Sequence, residues 1–222
     1  MNTVIKSILI LAFLLLPLSS GANVHYCDNN HRIQYEKPHP NGGGSVSDLA
    51  QVSDSVVVGD DSLVCDQTRI SGDVQILGHA MVNGNGTELS GHVVIKDSAT
   101  AIGTITESVV IADYASVSGV ISGKAYIHGH AIVQGGSVEG NANISGDAAL
   151  IEAGKISGDA MIFDSAVIVG GAQIGGHAKV FGHAVISGNV IIRGDAQICG
   201  NTVISARLTD PVKIVESGKT CN

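Results

Sequence analysis

Five histidines in this chain directly follow a glycine: His79, His92, His130, His177 and His183. Neutral imidazole ligates transition metals and serves as a general base near neutral pH. A zinc site needs three or four such ligands converging within about 2–2.2 Å of one point. Four cysteines, at 27, 65, 199 and 221, could act as thiolate ligands or pair as disulfides. Two further motifs fail. Gly218-Lys219-Thr220 ends like a phosphate loop, but Lys213 stands where its first glycine belongs, and no Gly-x-Ser-x-Gly elbow occurs.

What positions these groups is a repeat. From Val46 to Ile204 an aliphatic residue recurs every six positions, most clearly at Ile162, Ile168, Ile174, Val180, Ile186, Ile192 and Ile198. A small residue follows most of them by four positions (Ala166, Ala172, Ala178, Ala184), and the unit reads [Ile/Val]-x-Gly-[Asp/Asn/His/Gly]-Ala-x. The Ala-x-Ile alternation is that of a strand with two residues pointing inward across one pointing outward. The Gly pair is turn chemistry. Asn, Asp and His are the non-glycine residues most often found at positive φ. On that basis His79, His130 and His183 are corner residues that Asn should replace freely and Val should not. Each unit gives one short strand and one corner, and three units close a triangular coil. Such a period specifies a solenoid.

The irregularities of the period support three units per coil. Counting from Val46, they fall at Val82 (one residue extra), Ala101 and Val117 (two short) and Val133 (one short). These are every third unit, so they stack on one edge, and Leu150-Ile151-Glu152-Ala153-Gly154 lacks the Gly-Asp corner on that same edge. The edge is either tolerated turn variation or a groove, because function concentrates on irregular loops.

The unit resembles that of the hexapeptide-repeat, left-handed parallel β-helix superfamily of trimeric proteins. The likeness covers Val46 to about Ile204. Glycine falls one place later here than in that family's usual unit, as in Ile156-Ser157-Gly158-Asp159-Ala160, which resembles the variant arrays of some acyltransferase-like members. The expected fold is all-β, a single-stranded, left-handed, triangular parallel β-helix of about nine coils, with a right-handed β-helix as the alternative. The resemblance implies a homotrimer. It also brings two enzymatic possibilities: zinc carbonic anhydrase chemistry on three histidines, and acyl transfer using an exposed histidine.

The stacking tests the first. On one edge the corner residues run Asp61, His79, Ser98, Tyr114, His130, Asp147, Ser165, His183 and Asn201. The histidines stand three coils apart, and His92 and His177 lie on a different edge, further apart still. His128 and His130 share a corner but are only two ligands. No metal ligand set and no cofactor is assigned within one chain. Asp48, Asp54, Asp60 and Asp66 take the glycine position in the first coils, but only Asp48 and Asp66 share an edge, so they read as a solvated acidic end rather than a calcium site. Acyl transfer needs cytoplasmic acyl donors, and the sequence opens on an export signal.

That signal is residues 1–22. Lys6 precedes an apolar run from Ser7 to Leu18, too short for a comfortable span, and Ser20-Gly21-Ala22 offers a cleavage site. An uncleaved anchor is the alternative. The mature protein is expected from near Asn23, exported to the periplasm or the medium, with no membrane span left. Residues 23–45 (Pro38, Pro40, Gly42-Gly43-Gly44) read as a cap or linker, 46–206 as the solenoid and 207–222 as a second cap, which covers the open strand edges. In an oxidising compartment four cysteines suggest two disulfides. Coils of about 4.8 Å separate Cys65 from Cys199 by tens of Å, and a disulfide needs Cα atoms within about 7 Å. Cys27–Cys65 and Cys199–Cys221 are therefore the expected pairs.

The formal charge is -8, from 12 Lys and Arg against 20 Asp and Glu. No basic patch exists to neutralise phosphates, which argues against nucleic acid. The outward residues divide the faces. One carries Leu63, Met81, Thr100, Ser116, Ile132, Ala149, Val167, Val185 and Val203, with no charge among them. A charge-free stripe along a whole solenoid marks a packing face. Its larger side chains (Leu63, Met81, Ile132, Val167, Val185, Val203) are the expected interface. Ice or carbohydrate-surface binding by a flat face would show a threonine ladder, and only Thr100 stands there. The expected function is a disulfide-capped structural or binding module that self-associates. An acyltransferase-like or carbonic-anhydrase-like enzyme with an inter-subunit site is the alternative. The sequence identifies no ligand.

Overall fold

The computed structural model describes Cys27, residues 36–207, 212–214 and 219–221. The signal segment lies outside the described residues. The fold is an all-β parallel solenoid of about 9 turns. Each turn contributes one strand to each of three faces. Face one runs from Ser45–Ser47 to Val203–Ala206, face two from Gln51–Val52 to Val212–Ile214, and face three from Val57–Val58 to Lys219–Cys221. Within the faces each strand pairs in parallel with its equivalent in the next turn, as in Lys155↔Gln173, Met161↔Lys179 and Val167↔Val185, while Glu36–Pro38 pairs antiparallel with Ser45–Ser47 ahead of the first turn.

The alternation read from the sequence is the burial pattern. Ile156, Ala160, Ile162, Ala166 and Ile168 are wholly buried, whereas Met161 and Val167 between them are partly exposed. Large and small inward residues fill a narrow interior in turn. Few inward residues are polar. On the corner between faces three and one the alanine column begins with Ser62 and closes with Thr202. The Ser62 hydroxyl donates to the Ile76 carbonyl at 2.9 Å and that of Thr202 to the Cys199 carbonyl at 2.8 Å.

The disulfides pair as expected, Cys27 with Cys65 and Cys199 with Cys221, with Cα separations of 5.5 and 4.5 Å. Residues 39–44 fold across the first turn: Gly44 N–H donates to the Val58 carbonyl at 2.9 Å and Val58 N–H to the Asn41 carbonyl at 3.0 Å. Parallel stacking continues past residue 206, where Val190↔Val212 and Cys199↔Cys221 add a further set of strands.

All the irregular units lie on the corner between faces one and two. Thr100–Ile105, Ser116–Ile121 and Ile132–Val138 run through this corner as continuous strands, joining the two faces into one sheet. Thr100 pairs with Ser116 and Ser116 with Ile132, so a turn here takes two residues fewer than the regular turn from Val167 to Val185. The longer turn before this seam is joined to it by buried Thr87. Its hydroxyl donates to the Asn83 carbonyl at 2.6 Å and accepts from Gly103 N–H at 3.0 Å.

One expectation fails at the corners. In most units the left-handed residue is the third, not the fourth. Gly78, Gly129 and Gly182 have φ of 68°, 73° and 72°, while the histidines after them are not at positive φ. Among the described residues the non-glycine ones at positive φ are Asp66, Asp97, Glu107, Asp113, Glu152 and Asp164, all in the third position. The reason is proximity. A Cβ on Gly158 would come within 2.9 Å of Gly176 N and O in the next turn.

Where Asp takes the left-handed place, a hydrogen bond offsets the backbone cost. Asp113 accepts from Gly129 N–H at 2.9 Å, Asp164 from Gly182 N–H at 3.0 Å and Asp66 from Gly84 N–H at 2.9 Å. Asp97 accepts from Asp113 N–H, and this bond, aided by Lys96, lowers its pKa below the usual carboxylate value. A depressed carboxylate contributes stability above its unfolded-state pKa and loses it as pH falls through the lowered value.

Two glycines with like torsions separate the cost of left-handed backbone from that of close approach. Gly86 (φ 81°) has nothing near a would-be Cβ, whereas a Cβ on Gly136 (φ 78°) would collide with the Ala153 carbonyl. Gly86→Ala should cost about 1–2 kcal/mol through φ alone. Gly136→Ala should cost at least about 2 kcal/mol more, because the stacked backbone must move. Urea unfolding followed by circular dichroism measures both; equal losses would show that the seam does not depend on close approach.

Candidate functional site

The histidines occupy two corners. His79, His130 and His183 lie between faces three and one, His92 and His177 between faces two and three. Where they make a contact, the partner is an aromatic ring or a carboxylate. His130 stacks on Tyr114 with ring centroids 4.9 Å apart, and His128 on Tyr126 at 4.1 Å. His128 Nδ1 lies 3.7 Å from Asp113, His92 Nδ1 2.6 Å from Asp73. His177 sits between two turns, with Nε2 3.2 Å from Asp159 and Nδ1 3.3 Å from Asp195. Both contacts are hydrogen bonds only when both ring nitrogens carry protons. Asn141 extends this row by donating to Asp159 at 2.8 Å.

These are exposed side-chain ladders along an edge, formed because equivalent positions repeat at the inter-strand spacing. Surface pairs of this kind contribute about 0–1 kcal/mol. Among the described residues no group of three or more His, Cys, Asp or Glu is arranged to hold a metal ion. The shared corner of His128 and His130 does not make a chelate, since the two rings stack on different tyrosines.

The charge-free stripe is face one. Thr100, Ser116, Ile132, Ala149, Val167, Val185 and Val203 follow one another in paired register. Ile132 is 47% and Val203 68% exposed. Leu63 differs from its neighbours. It is buried against Cys27 and Cys65, with Met81 packed alongside, so the N-terminal disulfide covers this end of the stripe.

Sequence reasoning missed the apolar surface of the seam. Val120 and Ile151 are also exposed, and Ile151 pairs with Gln134 and Val169 across the irregular corner. Val120 escapes the face assignment because its unit is two residues short, and Ile151 because it stands just after the inward Leu150, at a corner position rather than in the outward column before it. Face one is thus bordered by the seam on one side and by the Tyr114–His130 stack on the other.

No family model matches the chain, and neither does any curated protein or solved structure.

Because His183 is not in the left-handed region, Asn and Val should be tolerated equally there. Both His183→Asn and His183→Val should stay within about 0.5 kcal/mol of the parent, the usual range for surface substitutions. Thermal unfolding of the pair checks this, and a selective loss with Val would return the left-handed residue to the fourth position.

Proposed function

We propose that the protein is an exported structural or binding module that self-associates through face one, most simply as a trimer. The observation that carries the reading is the stripe itself: uncharged over the solenoid's length, with Ile132 and Val203 about half or more exposed. A chain of formal charge -8 repels its copies, and an uncharged face is where two copies approach at least cost. The contact residues are Ile132, Val167, Val185 and Val203, with Ile151 at the margin; Leu63 and Met81 serve the N-terminal cluster. Export rests on the N-terminal signal pattern and on two disulfides, which persist in oxidising compartments. No helix among the described residues is long and apolar enough to cross a membrane.

The hexapeptide-repeat resemblance supports a left-handed, trimeric arrangement. It keeps one enzymatic alternative open, because His79, His130 and His183 lie on an edge of face one. Association through that face would carry them toward a second chain, where an inter-subunit site of the acyltransferase or carbonic anhydrase kind could form.

Ile132→Asp combined with Val167→Asp places two charges in the centre of the proposed contact, where an unpaired buried charge costs several kcal/mol. Sedimentation should show an oligomer for the parent and a monomer for the variant. Circular dichroism should be unchanged, since both side chains point away from the interior. A parent that sediments as a monomer removes self-association, and an unfolded variant removes the face assignment.

A further inference from the structure

One column of the solenoid breaks its own rule where a notch opens. At the corner between faces two and three, the second residue of each unit carries a hydroxyl in most turns: Ser53, Ser71, Ser90, Thr106, Ser122 and Ser157. The exceptions cluster near one end, at Glu139, Gly175 and Arg193. A local departure from an otherwise consistent pattern is where function is expected. Gly175 is buried and not at positive φ, so its backbone does not require glycine. Beside it lies a shallow cavity of about 380 Å³, lined by Lys155, Ser157, Gln173, Ile174, Gly175, Gly176 and Arg193. The same corner of the first turns, where Ser53 and Ser71 keep the hydroxyl, has one of about 350 Å³, and what sets this one apart is its pair of cations.

The polar groups of this notch are mostly donors. Arg193 crosses from the next turn, its Nη2 donating to Gln173 Oε1 at 3.4 Å, and four further guanidinium N–H groups remain. Lys155 enters from the preceding turn. Its ammonium lies 2.6 Å from Glu139 Oε2, which engages one of three donors. The Ser157 hydroxyl stands beside Gly175. Gly176 supplies a backbone N–H. At Gly84, Gly129 and Gly182 the same N–H is taken by an aspartate of the preceding turn. At Gly176 that place is held by Gly158, which has no side chain to accept. The carboxylates of Asp159 and Asp195, beyond the corner, are engaged by His177 and Asn141.

We propose that this notch binds a carboxylate, with Arg193, Lys155, Ser157 and Gly176 N–H as donors. A planar two-oxygen anion matches the guanidinium fork, and the shallow open cavity suits a group projecting from a larger molecule. Free carboxylates and the uronate groups of an acidic glycan share this chemistry.

The test is a titration of the full disulfide-bonded protein at low ionic strength, read by NMR shifts or calorimetry. The probes are acetate, trigalacturonate and neutral galactotriose. Gly175→Ser crowds one of the proposed donors, because a Cβ there would stand 3.0 Å from Ser157 Oγ, and Arg193→Gln removes the fork. Circular dichroism should show both variants folded. Each should weaken carboxylate binding about tenfold or more, the scale of one lost charge-assisted hydrogen bond. Trigalacturonate binding more tightly than acetate, with no response to galactotriose, assigns the site to an acidic glycan; equal binding per carboxylate assigns it to free carboxylates. No carboxylate binding at millimolar concentration, or binding unchanged in both variants, overturns the proposal.

Discussion

The structure depends on how closely one turn can lie on the next at its corners. Parallel ladders on three faces hold successive turns at the inter-strand distance, about 4.8 Å, and that spacing applies to the corners as well as the strands. The third residue of each unit lies over its own equivalent, as Gly158 does over Gly176. A left-handed glycine there keeps the stack straight. Where glycine is absent, the replacements that carry a bond are aspartates reaching the next turn's free N–H. The inward Ile, Val and Ala columns then follow, because a chain that turns every six residues aligns the same position of every turn.

This explains which parts of the molecule could be read from the sequence. The period, the three faces, the stacking of the irregular units on one edge and both disulfides come from spacing alone. They follow once each turn is fixed over the last. The conformation of the corner residues did not. Glycine and the residue after it both belong to turn chemistry, and only the backbone shows that Gly182 rather than His183 is left-handed. The aspartate bonds, the link through Thr87 and the burial of Leu63 under Cys27 depend on contacts between turns. Within the sequence those residues lie 16 to 38 positions apart.

The outer surface has no comparable regularity, and function has to be sought in that difference. The histidines are dispersed by the same period that orders the core, and His92, His128, His130 and His177 meet a ring or carboxylate that happens to lie beside them. Face one keeps a uniform lack of charge instead. The corner beside face two loses its hydroxyl row in a short stretch and gathers two of the chain's few cations. A solenoid of this kind is a uniform scaffold on which two local departures, one apolar and one cationic, stand out.

The two disulfides fasten opposite ends of a structure in which each turn touches only its neighbours. Arrays built this way ordinarily come apart by fraying, one unit after another from a free end. Here Cys65 is tied to the segment before the first turn, and Cys199 to the strand stacked beyond it. The step that would begin fraying is covalently closed at both ends. Loosening is left to start from within the array. Closing both ends thus changes the order in which the turns can be lost, and an enzyme that digests from a terminus meets a crosslink before it meets the array.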